Sequence, residues 1–272
     1  MVFFMGSRIC DTSIRPTHLN ISDGHLYSDR MPTDADNPAA TPPSRHDVWR
    51  MFDRIAPRYD LLNHLLSLNC DKRWRQRMSD LLPAGNNLCV LDLATGTGDQ
   101  LLALHDTGKV SIGVGLDMAS EMMVIGSKKI GTRGLADTLG MVRGDASNIP
   151  FDEKSFDVAT ITFGIRNLVD VRAGLCEMFR VLKPGGRALI LEFSLPDNRV
   201  LRRLYLFYFR HLLPRLGAAI SGDRQAYRYL NRTVETFPYG DEFCALMRDA
   251  GFGPVAAHPL TLGIATIYCG VR

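Results

Sequence analysis

The chain lacks a CxxC pair, lacks an apolar run long enough to cross a bilayer, and carries almost no excess of either charge. Its cysteines are scattered at 10, 70, 89, 176, 244 and 269. That spread excludes a zinc ribbon and gives no disulfide framework. Cys89, Cys176 and Cys269 have apolar sequence neighbours, so the set reads as reduced packing residues of a cytoplasmic protein. The 7 histidines are equally dispersed, and no metal site is expected. A formal charge of +3 over 272 residues gives no reason to expect a nucleic-acid partner. The opening "MVFFMG" is too short for the apolar core of a signal peptide, and no small-residue cleavage site follows an apolar run.

What is present supports a large core, since 46% of residues are apolar. Residues 1–44 are the exception. "MPTDADNPAATPPSR" is rich in proline and small polar residues and cannot bury enough apolar surface to fold. It reads as a disordered tail, a linker or an overlong start. Residues 45–272 then form one domain. Two cap helices are expected over 46–82. The first carries Val48, Met51, Phe52, Ile55 and Tyr59 on one stripe, with Pro57 as a kink or boundary. "DKRWRQRMSDLL" is the second, closed by "PAGN".

From residue 88 the pattern changes to short apolar runs alternating with helical ones. "CVLDLA", "SIGVGLD", "LGMVRGDA", "FDVATITFG" and "RALILEFS" read as strands, and "QLLALHD", "ASEMMVIGSKKI" and "RAGLCEMFRVL" as helices. "KPGG" ends the last of these helices and turns the chain into the fifth strand. A helical, aromatic-rich insertion spans 197–234, and a helix with an antiparallel hairpin closes the chain. The fold class is α/β: a Rossmann-like, mostly parallel sheet with helices on both faces.

"LDLATGTGD", residues 91–99, is a glycine turn after the first strand. Gly96 and Gly98 let the backbone approach a ligand closely. A dinucleotide fingerprint requires a third glycine at position 101, where this chain has Leu101. Asp92 and Asp99 flank the turn, which is awkward beside a pyrophosphate and comfortable beside an amino group or a sulfonium. Asp117 ends the second strand 21 residues after Gly96, where a ribose-binding acid belongs. Asp145 ends the third strand, and Ala146 after it is small enough to admit a flat ring. Each acid alone also reads as a helix cap or loop residue. Together they indicate a nucleoside with a cationic tail, which S-adenosylmethionine fits better than a phosphate-rich cofactor.

"YDLLNHLLSLNCDKRW" at 59–74, "GDASNIPFDEKSFD" at 144–157, "FGIRN" at 163–167, "RVLKPGGRALILEFS" at 180–194 and "AYRYLNRTVETFP" at 226–238 accompany the glycine turn. With these segments the chain resembles the ubiquinone/menaquinone biosynthesis C-methyltransferases, within the class I methyltransferases, over roughly 46–272. It departs from that family's usual residues at Asp71, where histidine is common, and at Asn69, where glycine is. The resemblance implies S-adenosylmethionine contacts at Gly96, Thr97, Asp117, Asp145, Ala146 and Thr162, with Gly98 and Met118 beside them. It implies methyl transfer to a ring carbon of a prenylated hydroquinone, most simply demethylmenaquinol. The benzoquinol of ubiquinone biosynthesis and other O- or N-acceptors remain alternatives.

Such a reaction needs an aligned donor and acceptor and a ring hydroxyl that has lost its proton. Arg166 and Asn167 follow the fourth strand. Arg166 is expected to hold the ring oxygens and favour the anion, because guanidinium stays protonated and makes a poor base. Asn167 is expected to fix the hydroxyl or a water, with Tyr59 and Asp60 as partners. The competing readings are a rim salt bridge for Arg166 and core packing for Tyr59. His64 is a candidate base, since histidine titrates near neutrality. Glu192 and Ser194 read either as pocket wall or as scaffold. The insertion from 199 to 215 reads as a lid that receives a prenyl tail or touches a membrane, with Arg202, Arg203, Arg210 and Arg215 facing lipid phosphates. A homodimer interface is the alternative use of the same surface. Tyr227, Tyr229 and Phe237 are candidates to shape the same pocket.

Overall fold

The computed structural model describes residues 47–67, 69–213, 215 and 224–272. The expected tail at 1–44 lies outside the described residues. Helices α1 (Val48–Leu66) and α2 (Cys70–Ser79) lead into strand β1 (Leu88–Leu93). Then follow α3 (Asp99–His105), β2 (Val110–Asp117), α4 (Ser120–Thr132), β3 (Leu139–Arg143) and β4 (Phe156–Thr162). After a 3-10 turn at Ile165–Asn167 come α5 (Val171–Val181), β5 (Leu182–Phe193) and α6 (Arg199–Phe207). The last elements are α7 (Arg224–Thr236), α8 (Asp241–Asp249), β6 (Val255–Leu260) and β7 (Ala265–Val271).

The strands form one sheet in the order β3-β2-β1-β4-β5-β7-β6. Every neighbouring pair is parallel except those made by β7, which runs against both β5 and β6. All six residues of β1 are buried, which is why that strand reads as an unbroken apolar run rather than an alternation. One face of the sheet packs on α5 and α8 through Leu175, Met178, Phe243 and Met247. The other packs on α2 and α3 through Trp74, Met78 and Leu104. Asp170 caps α5 by accepting from the Ala173 N–H at 2.9 Å, as short acids do at a helix start.

Three local expectations are corrected. Helix α1 runs through Pro57, so the proline is not a boundary. Lys183–Gly186 do not end a helix; they belong to β5, where pairing jumps from Phe156↔Leu182 to Val158↔Arg187. The extra residues bulge out, with Gly185 at φ 78°, a conformation glycine adopts without strain. Cys176 is exposed rather than packed, whereas Cys89 and Cys244 are buried and Cys269 packs against the core.

Candidate active site

In an open α/β sheet, ligands bind beyond the carboxyl ends of the strands where the strand order reverses. Here that point lies between β1 and β4. A cavity of about 160 Å³ opens there, walled by Ala94 and Gly96 after β1, Asp117 and Met118 after β2, Gly144 to Ala146 after β3, and Thr162 to Gly164 after β4. The backbone at this edge is forced into unusual conformations: φ is +46° at Ala94, +57° at Gly96 and +56° at Phe163. For Ala94 and Phe163 such values cost energy that the surrounding packing must hold in place.

Asp117 organises the turn. One carboxylate oxygen accepts from Gly96 N–H at 2.8 Å and the other from Ala119 N–H at 2.8 Å. Burial nevertheless pushes its carboxyl above the usual range, against the pull of those bonds. Asp145 accepts from Ser147 N–H at 2.8 Å, and Ala146 beside it is buried. These two carboxylates are the charged side chains on the described wall, and no cation accompanies them. Asn167 also lines this cavity. Its amide donates to the Phe163 carbonyl at 3.4 Å, and its own carbonyl oxygen is buried without a partner. A wall with two carboxylates, an unanswered acceptor and no cation fits a nucleoside with amino groups and a sulfonium. It does not fit phosphates.

A second cavity, of about 290 Å³, adjoins the first and shares Phe52, Tyr59 and Phe163 with it. Its walls are mostly apolar and rich in aromatic rings. Phe163 and Phe193 stack with ring centroids 4.4 Å apart, and Trp74 meets both edge-on. Tyr205, Tyr208 and Phe209 close it from the insertion, and Tyr229 from α7. Arg166 enters this cavity rather than the first. Its guanidinium donates to Phe163 O at 2.7 Å and to Glu192 Oε1 at 2.6 Å, and it lies over the Phe193 ring at 5.4 Å. Its Nε is buried without a partner. Arg166 is therefore both halves of a pair of readings: a buried salt bridge and a cation on a cavity wall. Burial pushes the Glu192 carboxyl up, while Arg166 pulls it down.

Several candidates fall elsewhere. Asp60 accepts from Thr97 Oγ at 2.6 Å and pairs with Lys129 at 2.6 Å, and it lines neither cavity. Thr97 is buried in that cluster, and Asp99 also pairs with Lys129 at 2.6 Å. Neither lines the cavity at the β1/β4 switch, and neither does Gly98, which instead sets the start of α3 at φ 78°. Asp92 is 1% exposed and accepts from Thr95 and Thr160 at 2.6 and 2.5 Å. Glu192 and Ser194 are scaffold; Ser194 Oγ donates to Gly263 O at 2.7 Å. Phe237 packs in the main core, and the Tyr227 side chain lies outside the described residues. Trp49, Phe52 and Trp74 were not singled out for a site, because an aromatic on an amphipathic helix carries no sequence mark that separates cavity wall from core.

The reversed seventh strand, the cavity at the β1/β4 switch and the carboxylate after β2 define a class I S-adenosylmethionine-dependent methyltransferase. Solved structures share the fold: an S-adenosylmethionine-dependent methyltransferase from Thermotoga maritima (TM-score 0.56, 20% identity, 82% of this chain and 99% of that one) and another from Aquifex aeolicus (0.51, 17%, 72% and 88%). The chain belongs to the ubiE/COQ5 methyltransferase family, whose model matches residues 41–272. It is similar to the ubiquinone/menaquinone biosynthesis C-methyltransferase UbiE of Geotalea daltonii, 45% identical over 226 residues, 83% of this chain and 96% of that one. It is also similar to the demethylmenaquinone methyltransferase of Thermus thermophilus, 45% identical over 222 residues, 82% of this chain and 100% of that one. The protein is an S-adenosylmethionine-dependent C-methyltransferase.

Proposed function

We propose that the enzyme methylates a ring carbon of a prenylated hydroquinone, with demethylmenaquinol as the acceptor. The observation that carries this reading is the aromatic cavity, joined to the donor cavity at Tyr59 and bearing the Arg166 cation. S-adenosylmethionine, when bound, supplies a methyl group on a positively charged sulfur. Asp117 would then hold the ribose, and Asp145 and Ala146 would flank the base. The stacked Phe163 and Phe193 rings offer the flat acceptor an aromatic wall, and Arg166 favours negative charge on its ring oxygen. That charge delocalises onto the ring carbon that is methylated. The benzoquinol of ubiquinone biosynthesis is a second reading, favoured by relatives whose names carry both pathways. Purified protein given S-adenosylmethionine with each reduced quinone separates the two by mass: the naphthoquinol gains a methyl group faster.

Under this reading the enzyme is cytoplasmic and meets a membrane peripherally through 199–215. Among the described residues no helix is long and apolar enough to cross one. Helix α6 has two faces. Tyr205, and Tyr208 and Phe209 just beyond, turn toward the cavity, while Val200, Leu204 and Phe207 are 68, 62 and 58% exposed. Arg203 is exposed beside that outer row, but Arg202 is taken by Tyr239 and Arg210 by Glu235. An apolar row beside a cation supports contact with an anionic lipid surface; a homodimer through the same row is the competing use.

A further inference from the structure

We propose that Asp71, held in place by His64 and Ser67, is the group that takes the proton from the acceptor's ring hydroxyl, an inference that rests on the quinol reading above. Methylating a ring carbon releases one proton overall, and the cavity must have somewhere to put it. Among the described residues on the acceptor wall, the charged side chains are Arg166 and Asp71. Arg166 is permanently protonated and committed to Glu192. Burial raises Tyr59, Tyr205 and Tyr208 above the usual phenol range, so these hydroxyls keep their own protons. Asp71 is the carboxylate left. It is 2% exposed, yet it faces a cavity built of apolar rings. A buried carboxylate is expensive without partners, and this one has two. His64 Nδ1 lies 2.8 Å from Oδ2, and Ser67 Oγ donates to Oδ1 at 2.5 Å.

The chain is bent specifically to make this contact. Residues 64 and 71 belong to different helices. Asn69 adopts φ 59° between them, its N–H donates to His64 O at 2.7 Å, and Cys70 N–H donates to Ser67 O at 2.9 Å. Asparagine tolerates this left-handed conformation better than most residues. The turn folds the end of α1 back onto the first residues of α2. The His64 side chain remains 26% exposed, so the pair spans from the cavity wall to solvent. In the proposed step the acceptor's O–H bond breaks, its electron pair stays on the ring oxygen beside Arg166, and the proton bonds to an Asp71 carboxylate oxygen. The ring carbon then bonds to the methyl group as the methyl–sulfur bond breaks, its electron pair staying on the sulfur. The ring C–H proton then moves to the ring oxygen, restoring the aromatic hydroxyl and leaving the first proton on Asp71 to return to solvent. His64 is a positioning residue here.

The test measures turnover, acceptor KM and S-adenosylmethionine affinity for the parent, Asp71→Asn and His64→Gln, with reduced demethylmenaquinone. Asp71→Asn is expected to lower turnover at least about 100-fold, the usual weight of a proton acceptor, with donor affinity within about threefold of the parent. His64→Gln keeps a side-chain donor and is expected to lose about tenfold or less. A halogenated quinol, whose hydroxyl is more acidic, is expected to recover turnover in Asp71→Asn relative to the parent, which a merely structural role for Asp71 would not produce. Parental turnover in Asp71→Asn, or a defect equal for both quinols, overturns the assignment while leaving the quinol reading intact. A parent inert toward the quinol but able to bind the methyl donor overturns both.

Discussion

Arg166 and Glu192 meet inside the protein at 2.6 Å, one 5% and the other 1% exposed. The pair ties the turn after β4 to the end of β5, and it keeps a cation on the wall of an otherwise apolar cavity. Arg166→Ala strands a buried carboxylate, so it is expected to cost about 3–5 kcal/mol of stability. Adding Glu192→Gln removes that stranded charge and is expected to restore much of the stability without restoring turnover. Denaturant unfolding and methyl transfer on the same proteins check this. Recovery of turnover in the double variant would reduce Arg166 to a structural role.

Asp117 answers two backbone N–H groups and lines the carboxylate-lined cavity. Asp117→Ala removes the carboxylate expected to hold the ribose. Hydrogen bonds to a charged group contribute about 1.5–3 kcal/mol, so donor affinity is expected to fall by at least about tenfold, with acceptor KM unchanged. Calorimetric titration with S-adenosylmethionine measures the first and steady-state kinetics the second.

Asp92 links stability to pH. Burial raises its carboxyl to about 6, against about 3.9 in an unfolded chain. The native state therefore binds more protons than the unfolded state between about pH 4 and pH 6, and stability falls as pH rises through that window. The full cost, on the order of 3 kcal/mol, is present above about pH 6. Asp92→Asn abolishes it. The variant's stability relative to the parent is expected to improve from about pH 4 to pH 6 and then level off, as read from unfolding midpoints.

The outer row of α6 is exposed and makes no contribution to the cavity wall. Leu204→Glu with Phe207→Glu is expected to abolish cosedimentation with anionic phosphatidylglycerol vesicles while leaving turnover on a short-chain quinol near the parental level. Unchanged vesicle binding would remove this row from the membrane reading; a shift in oligomeric state would assign it to a homodimer.

Much of this arrangement was legible before any coordinates. The alternation of apolar runs implies the sheet, and the spacing from Gly96 to Asp117 puts both on the edge where the smaller cavity opens, because both are consequences of local periodicity. The partition of Arg166 and Asn167 was not legible. They are consecutive, yet one lines the aromatic-rich cavity and the other the carboxylate-lined one. The 3-10 turn at Ile165–Asn167 explains this, since at three residues per turn neighbouring side chains diverge by about 120°. The direction of the Asp60 side chain is not legible for a similar reason. It adjoins Tyr59 in sequence, but on a helix the next residue points about 100° away, here to Thr97 and Lys129. The roles of Asp99 and Glu192 depended on Lys129 and Arg166, partners 30 and 26 residues distant, which no local pattern reveals.

The central claim is that a methyl group passes from the carboxylate-lined cavity to a quinol carbon in the aromatic one. The most direct measurement supplies S-adenosylmethionine bearing a CD₃ group together with reduced demethylmenaquinone, and locates the label by mass spectrometry and NMR. One CD₃ group bonded to a ring carbon is the expected result. Label on a ring oxygen, or an unlabelled quinol recovered from protein that binds the donor, would contradict the account.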